Sequence, residues 1–217
     1  MTLKKIQLLS VILILATNVA GQGFYFEPEY AVGIRGGATA SWVSFSPTVT
    51  TSPLVGFQAG GAFRYISSKY FGVQVEANFT QRGWTEKGDT YNYTHQLNYI
   101  EVPFMSHIWF GRNTFRWFFN LGPSVSYMMY DKVDSTVPDA QQQLRYTMDL
   151  KNRFDYAIVV GTGFEFNTKR AGIYQLEARY SFGLGDMFPN GATDDYRRSS
   201  NQNLSVCLGI LFNVGRP

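Results

Sequence analysis

Apolar and polar residues alternate with a period of two along nearly the whole chain after residue 30. In one clear stretch Phe71, Val73 and Val75 alternate with Gln74 and Glu76. Successive side chains of a β-strand point to opposite faces, so this pattern predicts strands with one apolar and one polar face.

Eight segments show this alternation, and the connections between them alternate in length. The segments cover residues 31–43, 54–66, 70–83, 97–110, 114–130, 154–167, 172–185 and 202–214. Connections after the even-numbered segments are short, whereas those after the odd-numbered segments are longer and polar. Short turns at one end and long loops at the other are typical of outer-membrane barrels, whose termini lie on the periplasmic side. The predicted fold class is therefore all-β, an eight-stranded antiparallel up-and-down transmembrane β-barrel.

Composition decides which face of the barrel points outward. A soluble barrel of the lipocalin type would hold the apolar face inside. Charged residues make up only 16% of the chain and aromatic residues 17%, whereas soluble domains carry roughly 25% charge. Aromatic residues also gather near the segment ends, as in an interfacial girdle. On the short-turn side these are Tyr65, Tyr70, Trp109, Phe110, Phe115, Phe166 and Tyr174, and on the loop side Trp42, Phe45, Trp84, Tyr127, Tyr130, Tyr156 and Phe182. The apolar face is therefore predicted to meet lipid.

The polar face carries a balanced set of charges, which we predict to form a network in the lumen. The set comprises Arg35, Arg64, Glu76, Arg82, Glu101, Arg116, Asp155, Glu165, Glu177 and Arg179. Five acids and five bases suit an interior in which each charge needs a partner. Eight strands leave room only for side chains, and glycines on this face, such as Gly161, are expected to make space for the longer ones. The face also contains apolar residues, among them Ile66 and Leu211.

The N-terminal residues have the order of a secretory signal peptide. Lys4 and Lys5 precede the apolar run from Ile6 to Ala16, and small residues follow at Ala20 and Gly21. The run is shorter than the roughly 20 residues that a spanning helix needs. Residues 1–21 are therefore predicted to be a cleaved signal peptide and residues 22–217 the barrel domain. A buried N-terminal helix is the alternative.

Candidate catalytic residues have simpler structural interpretations. Glu76, Glu101 and Glu177 alternate with arginines, so a salt network is favoured over acid–base chemistry. His107 faces the lumen with no serine on its own face, and His95 shares a loop with Asp89. We therefore expect no enzymatic activity, catalytic residue, cofactor or metal. The small net charge of +3 also argues against a nucleic-acid partner.

Two further features bear on packing and on partners. Cys207 on the lumen face is expected to be a small packed residue. Tyr91, Asn92 and Tyr93 lie together in the predicted second loop. They either contact a partner or fold back onto the barrel rim.

Several stretches resemble the PorT-like outer-membrane β-barrel family of the Bacteroidota. They are GVQVEANFTQRGW (72–84), LNYIEVPFMSHIWFG (97–111), NLGPSVSYMM (120–129), GTGFEF (161–166), LEARYSFGLGDM (176–187) and QNLSVCLGILF (202–212). The resemblance implies an eight-stranded barrel in the cell outer membrane. The founding member is associated with type IX secretion and gliding, a role that we do not transfer to this chain.

Three functions remain open from the sequence. The first is a structural or interaction barrel in outer-membrane lipid, which binds an envelope or secretion-machinery protein through its extracellular loops or periplasmic turns. The second is a narrow, porin-like small-solute channel. The third is a lipid-modifying enzyme of the outer membrane. A soluble ligand-binding barrel is the least favoured alternative.

Overall fold

The computed structural model describes residues 27–46, 51–87, 92–112, 114–136, 152–168, 171–186 and 198–215. The predicted signal peptide over residues 1–21 lies outside these ranges. Within the described ranges no helix has the length and apolar character needed to cross a membrane.

Eight antiparallel strands form one closed barrel. The strands are β1 (Glu29–Ser46), β2 (Ser52–Ile66), β3 (Phe71–Lys87), β4 (Asn92–Gly111), β5 (Phe115–Ser135), β6 (Phe154–Thr168), β7 (Gly172–Asp186) and β8 (Arg198–Gly215). Each strand pairs with the next in sequence, and β8 pairs with β1 to close the barrel. The prediction of an eight-stranded up-and-down barrel is confirmed. We call the end with the short β2–β3, β4–β5 and β6–β7 turns the periplasmic end.

The apolar face of the barrel points outward. Leu208 is 66% exposed and Ile34 68% exposed, whereas the inward-facing Glu177 and Glu165 are each 1% exposed. Exposing large apolar side chains all round a barrel is unfavourable in water and favourable in lipid. The arrangement is the reverse of a soluble barrel, so the membrane orientation predicted from composition is confirmed.

Among the predicted girdle residues whose side chains the structure describes, most lie on the outer surface but two do not. The side chain of Phe45 lies outside the described ones. Tyr70, Phe110 and Phe115 are exposed at the periplasmic end, as predicted. Trp84 is only 3% exposed and Trp109 only 5% exposed, so their assignment to the girdle was wrong. Trp84 is two residues from Arg82, and Trp109 is two residues from His107, so each tryptophan points to the same inner face as its lumen neighbour. Nearness to a strand end does not change the face to which a side chain points.

The strands extend beyond their predicted bounds on the side opposite the periplasmic end. β4 begins at Asn92 and β5 ends at Ser135, whereas the alternation predicted segments at 97–110 and 114–130. The β4 residues that alternate with the buried Tyr93 and His95 are polar at Thr94 and Gln96, whereas the outward residues from Ile100 onward are apolar apart from Ser106. This change marks the border of the lipid-facing surface. Part of the wall formed by β3, β4 and β5 therefore extends beyond that border, on the side opposite the periplasmic end.

The closed ladder leads to a prediction about gel mobility. Because every strand is paired on both sides, lipid or detergent offers no open edge at which unfolding can begin. We expect unboiled protein in detergent to migrate faster on a gel than boiled protein. Circular dichroism before loading serves as the control for folding. Equal mobility of boiled and unboiled samples, when the unboiled sample is folded, would contradict the closed barrel.

The barrel lumen as the candidate functional site

Two arginines and two glutamates form a cluster in the middle of the lumen, which we call the central cluster. Arg35 of β1 contacts both Glu76 of β3 and Glu177 of β7. Arg179 of β7 also contacts both carboxylates, with Arg179 Nη1 2.8 Å from Glu76 Oε2 and Arg179 Nη2 2.8 Å from Glu177 Oε2. All four side chains are buried. Their formal charges cancel, and each guanidinium bridges strands that are not neighbours in the barrel.

Neutral amides complete the bonding of the two glutamates. Asn78 Nδ2 donates to Glu76 Oε2 at 2.8 Å, and Asn120 Nδ2 donates to Glu177 Oε1 at 2.8 Å. Gln74 Nε2 donates to Glu76 Oε1. Buried carboxylates need partners for their lone pairs as well as opposite charge. These amides fix the position of the carboxylates, so the central cluster is rigidly held.

A second pair lies nearer the periplasmic end. Arg64 Nη1 of β2 lies 2.7 Å from Glu165 Oε1 of β6. The Arg64 Nε and Nη2 atoms both donate to Gln74 Oε1, at 2.9 and 2.7 Å. Gln175 Nε2 donates to Glu165 Oε1 at 2.6 Å. Both charged side chains are fully shielded from solvent, so this pair also fills the lumen rather than lining a channel.

A third group lies toward the opposite, extracellular end. Arg82 Nη2 lies 2.7 Å from Glu101 Oε1, and Arg82 Nη1 lies 3.4 Å from Asp155 Oδ2. The Arg82 guanidinium also sits 5.3 Å from the ring centroid of Tyr99. Ser124 Oγ donates to Glu101 at 3.1 Å. One cation meets two carboxylates here, so this group carries a formal charge of −1.

Apolar side chains fill the periplasmic end around the Arg64–Glu165 pair. One buried set, the first periplasmic cluster, consists of Ala31, Ala62, Ile173 and Leu211. The second periplasmic cluster consists of Ile66, Trp109 and Phe118. The apolar residues found on the polar face in the sequence, Ile66 and Leu211, thus belong to a filling that closes this end. Both lie near the periplasmic end of their strands, a position that could have identified them.

Arg116 takes no part in the three charge groups, although its backbone pairs with that of Glu165 on β6. Its guanidinium is 5.5 Å from the ring centroid of Trp109 at the periplasmic mouth, and the side chain is only partly buried. Among the residues that the structure describes, no carboxylate lies within ion-pair distance of it. The remaining nine predicted network charges are all buried and all belong to the three groups above.

The histidines are bonded to residues that sequence spacing did not indicate. His107 Nδ1 lies 2.7 Å from Asn120 Oδ1, and its Nε2 is 3.4 Å from Glu165 Oε1. His95 Nε2 lies 2.8 Å from Asp131 Oδ2 of β5. Asp89, the predicted loop neighbour of His95, lies outside the described residues. Asp131 faces His95 because β4 and β5 pair beyond the predicted strand ends.

Tyr93 and Cys207 both lie inside the barrel. Tyr93 is 3% exposed, and its hydroxyl is 3.2 Å from His95 Nδ1. This agrees with the second interpretation of the loop aromatics, in which they fold back onto the rim, while Tyr91 lies outside the described residues. Cys207 is 2% exposed and is a free thiol, so its prediction as a packed residue is confirmed.

Gly161 makes space for Glu177. A Cβ atom at position 161 would collide with Glu177 Oε1 and would lie 3.2 Å from Glu177 Cδ. The Glu177 carboxylate is bonded to Arg35, Arg179 and Asn120, so it cannot move away freely. The prediction that this glycine accommodates a long lumen side chain is confirmed.

The chemistry of the lumen is that of a neutralised interior. In the described part of the chain, no group of three or more His, Cys, Asp or Glu residues is arranged to hold a metal ion. Apolar exterior, closed strand ladder and ion-paired interior together define an integral membrane β-barrel with a filled lumen.

Comparison with known proteins assigns the barrel to a family. The chain belongs to the family described as the outer membrane protein beta-barrel domain, whose model matches residues 25–189. The barrel is therefore an outer-membrane protein. A comparison with curated proteins gives no match.

Solved outer-membrane barrels match the chain at low sequence identity. OprG from Pseudomonas aeruginosa matches with a TM-score of 0.51 and 14% identity over 85% of this chain and 96% of that chain. Ail, the attachment invasion locus protein of Yersinia pestis, matches with a TM-score of 0.47 and 16% identity over 85% and 99%. Neisserial surface protein A matches with a TM-score of 0.49 and 14% identity over 84% and 99%. At such identities the likeness to OprG supports the barrel fold alone.

The central cluster leads to a stability prediction. Replacing Glu177 by alanine leaves Arg35 and Arg179 with one carboxylate between them in a buried site. Breaking a buried pair in this way typically costs roughly 3–5 kcal/mol. We expect Glu177→Ala to lower the free energy of unfolding by about this amount, measured by urea titration of tryptophan fluorescence in detergent.

Leu176→Val provides the matched control for that measurement. Leu176 is 46% exposed on the outer face, one residue from Glu177, so shortening it should change stability little. A silent Glu177→Ala together with a damaging Leu176→Val would reverse the assignment of the two faces, since a one-residue slip turns every side chain over.

A second prediction concerns the space at Gly161. Gly161→Ala adds a methyl group against a fixed carboxylate, and overpacking of this kind usually costs about 1–3 kcal/mol. The control is Gly61→Ala, because a Cβ atom at position 61 would have Gly33 O as its nearest neighbour, at 3.8 Å. The same urea titration should show destabilisation at position 161 only. Equal effects at both positions would contradict the role given to Gly161.

Proposed function

We propose that the protein is a structural or interaction barrel of the outer membrane, without enzymatic activity, that acts through its extracellular loops or periplasmic turns. The observation that carries this proposal is the filled lumen. Three ion-paired groups and two apolar clusters occupy the described interior from end to end. With the interior occupied, the surfaces left for partners are the two ends of the barrel.

The filled lumen argues against the narrow solute channel. A solute crossing the barrel would have to pass Arg35 and Arg179, both bonded to the same two glutamates. It would also have to displace the packed rings of Trp109 and Phe118 at the periplasmic end, both nearly inaccessible to solvent. Opening a path would leave buried charges without partners, which costs several kcal/mol per ion.

The environment of the histidines argues against a lipid-modifying enzyme. A hydrolase of that kind needs histidine within hydrogen-bond reach of a nucleophile. His107 faces Asn120 and Glu165, and His95 faces Asp131 and Tyr93, in the described part of the barrel. None of these partners is a serine, threonine or cysteine.

The resemblance to PorT-like barrels suggests the kind of partner. We propose an envelope or secretion-machinery protein, held at one end of the barrel, in addition to the surrounding outer-membrane lipid. We also propose that residues 1–21 are a cleaved signal peptide that directs export, which N-terminal sequencing of the mature protein would test.

Planar bilayer recording tests the closed lumen. Because the interior is filled, we expect the purified protein to show no steady conductance after insertion into the bilayer. Heat-modifiable mobility of protein recovered from liposomes verifies that the inserted protein is folded. A general porin reconstituted in parallel serves as the positive control. Reproducible unitary steps from the pure protein would overturn the proposal and would favour the narrow channel.

A further inference from the structure

A small cavity opens at the periplasmic mouth of the barrel and is separate from the three charge groups of the lumen. Its volume is about 170 Å³, which suits the end of one side chain rather than a folded element. The residues that line it include Glu29, Ile66, Lys69, Tyr70, Trp109 and Arg116. They come from β1, β2, β4 and β5 and from the short β2–β3 turn.

The cavity presents cations backed by aromatic rings. The Arg116 guanidinium lies 5.5 Å from the Trp109 ring centroid, and Lys69 Nζ lies 5.3 Å from the Tyr70 ring centroid. A guanidinium held beside an indole ring can still donate its N–H groups to an acceptor. In the described structure neither cation has a carboxylate within ion-pair distance. Every arginine of the lumen proper has one.

The charge balance of the cavity selects the ligand. Lys69 and Arg116 stand against one carboxylate, Glu29, which gives the lining a formal charge of +1. A monoanion neutralises this charge, whereas a phosphate dianion would leave an excess of negative charge. A carboxylate is also planar and matches the two parallel N–H donors of a guanidinium. The apolar floor of Ile66 and Trp109 suits the methylene groups that precede a carboxylate on a polypeptide.

We infer that the periplasmic mouth binds a carboxylate group of an acidic peptide segment, with Arg116 as the principal donor and Lys69 as a second cation. The inference rests on the proposed function, in which one end of the barrel holds a partner, and it names the chemistry of that partner at the periplasmic end.

The test follows the indole N–H signal of Trp109 in nitrogen-15 NMR spectra of the protein in phosphatidylcholine nanodiscs, assigned from a Trp109→Phe sample. The probes are acetyl-Gly-Glu-Gly-amide, its glutamine analogue and inorganic phosphate. We expect a saturable shift with the glutamate peptide and none with the glutamine peptide. Phosphate should bind more weakly than the glutamate peptide.

Two variants and one control locate the site. Arg116→Gln should weaken peptide binding by about tenfold or more, since a charge-assisted pair is lost, and Lys69→Gln should weaken it less. Arg112→Gln is the matched control, because Arg112 is exposed on the neighbouring β4–β5 turn and lies outside the lining. Heat-modifiable mobility shows that each variant is folded.

Three results of the peptide titrations would overturn the inference. They are an absence of saturable binding by the glutamate peptide, equal binding by the glutamine peptide, and full binding by folded Arg116→Gln protein. A Trp109 shift produced without peptide, by replacing phosphatidylcholine with phosphatidylglycerol, would also overturn it by assigning the cavity to a lipid headgroup. If the glutamate peptide does not bind and the bilayer recordings show no conductance, only the carboxylate site is refuted. If the recordings show conductance steps, the filled lumen of the proposed function is refuted whatever the peptide titrations show.

Discussion

The structure depends on one constraint, that a chain in lipid must supply its own hydrogen-bond partners. The pairing of β8 with β1 meets this constraint, because it closes the ladder and leaves no strand edge facing hydrocarbon. Closure with eight strands then fixes a narrow interior. Every polar side chain placed inside must find its partner across that interior, and the lumen chemistry follows from this restriction.

The charged groups show how the restriction is met. Each lumen arginine contacts a carboxylate on a strand that is not its neighbour, as with Arg35 and Glu177 or Arg64 and Glu165, or on several strands at once, as with Arg82. Amides such as Asn120 satisfy the remaining carboxylate lone pairs. The central cluster is thus electrically neutral, and the Arg82 group carries one excess negative charge. Arg116 lies beside Trp109 at the periplasmic mouth, with no carboxylate of the described residues within ion-pair distance. The arginines inside the barrel neutralise buried carboxylates, whereas Arg116 at the periplasmic mouth is accessible to a ligand.

Sequence periodicity could predict the strands and the faces, because both depend on local contrast between neighbouring residues. It did not predict the ends of β4 and β5 opposite the periplasmic end. The outward positions of β4 are polar there, as at Thr94 and Gln96, and residues 131–135 of β5 are polar apart from Val133, so the apolar–polar alternation weakens. It placed nine of the buried charges on the inner face and missed Glu86, which is buried beyond the predicted end of the third segment. It could not choose their partners, since the contact between Arg35 and Glu177 depends on strand tilt and stagger around the whole barrel. Trp84 and Trp109 were misplaced because nearness to a strand end was weighed above the parity of the neighbouring residues.

The long-range pairing of the lumen charges bears on how the protein is assembled. Arg35 in the first strand finds its partners in the third and seventh strands, and Arg64 in the second strand finds its carboxylate in the sixth. A β-hairpin inserted by itself would carry a bare guanidinium into hydrocarbon. The nascent chain is therefore best kept at the water interface until the last strand arrives, so that desolvation of the charges and sealing of the final seam occur as one cooperative step.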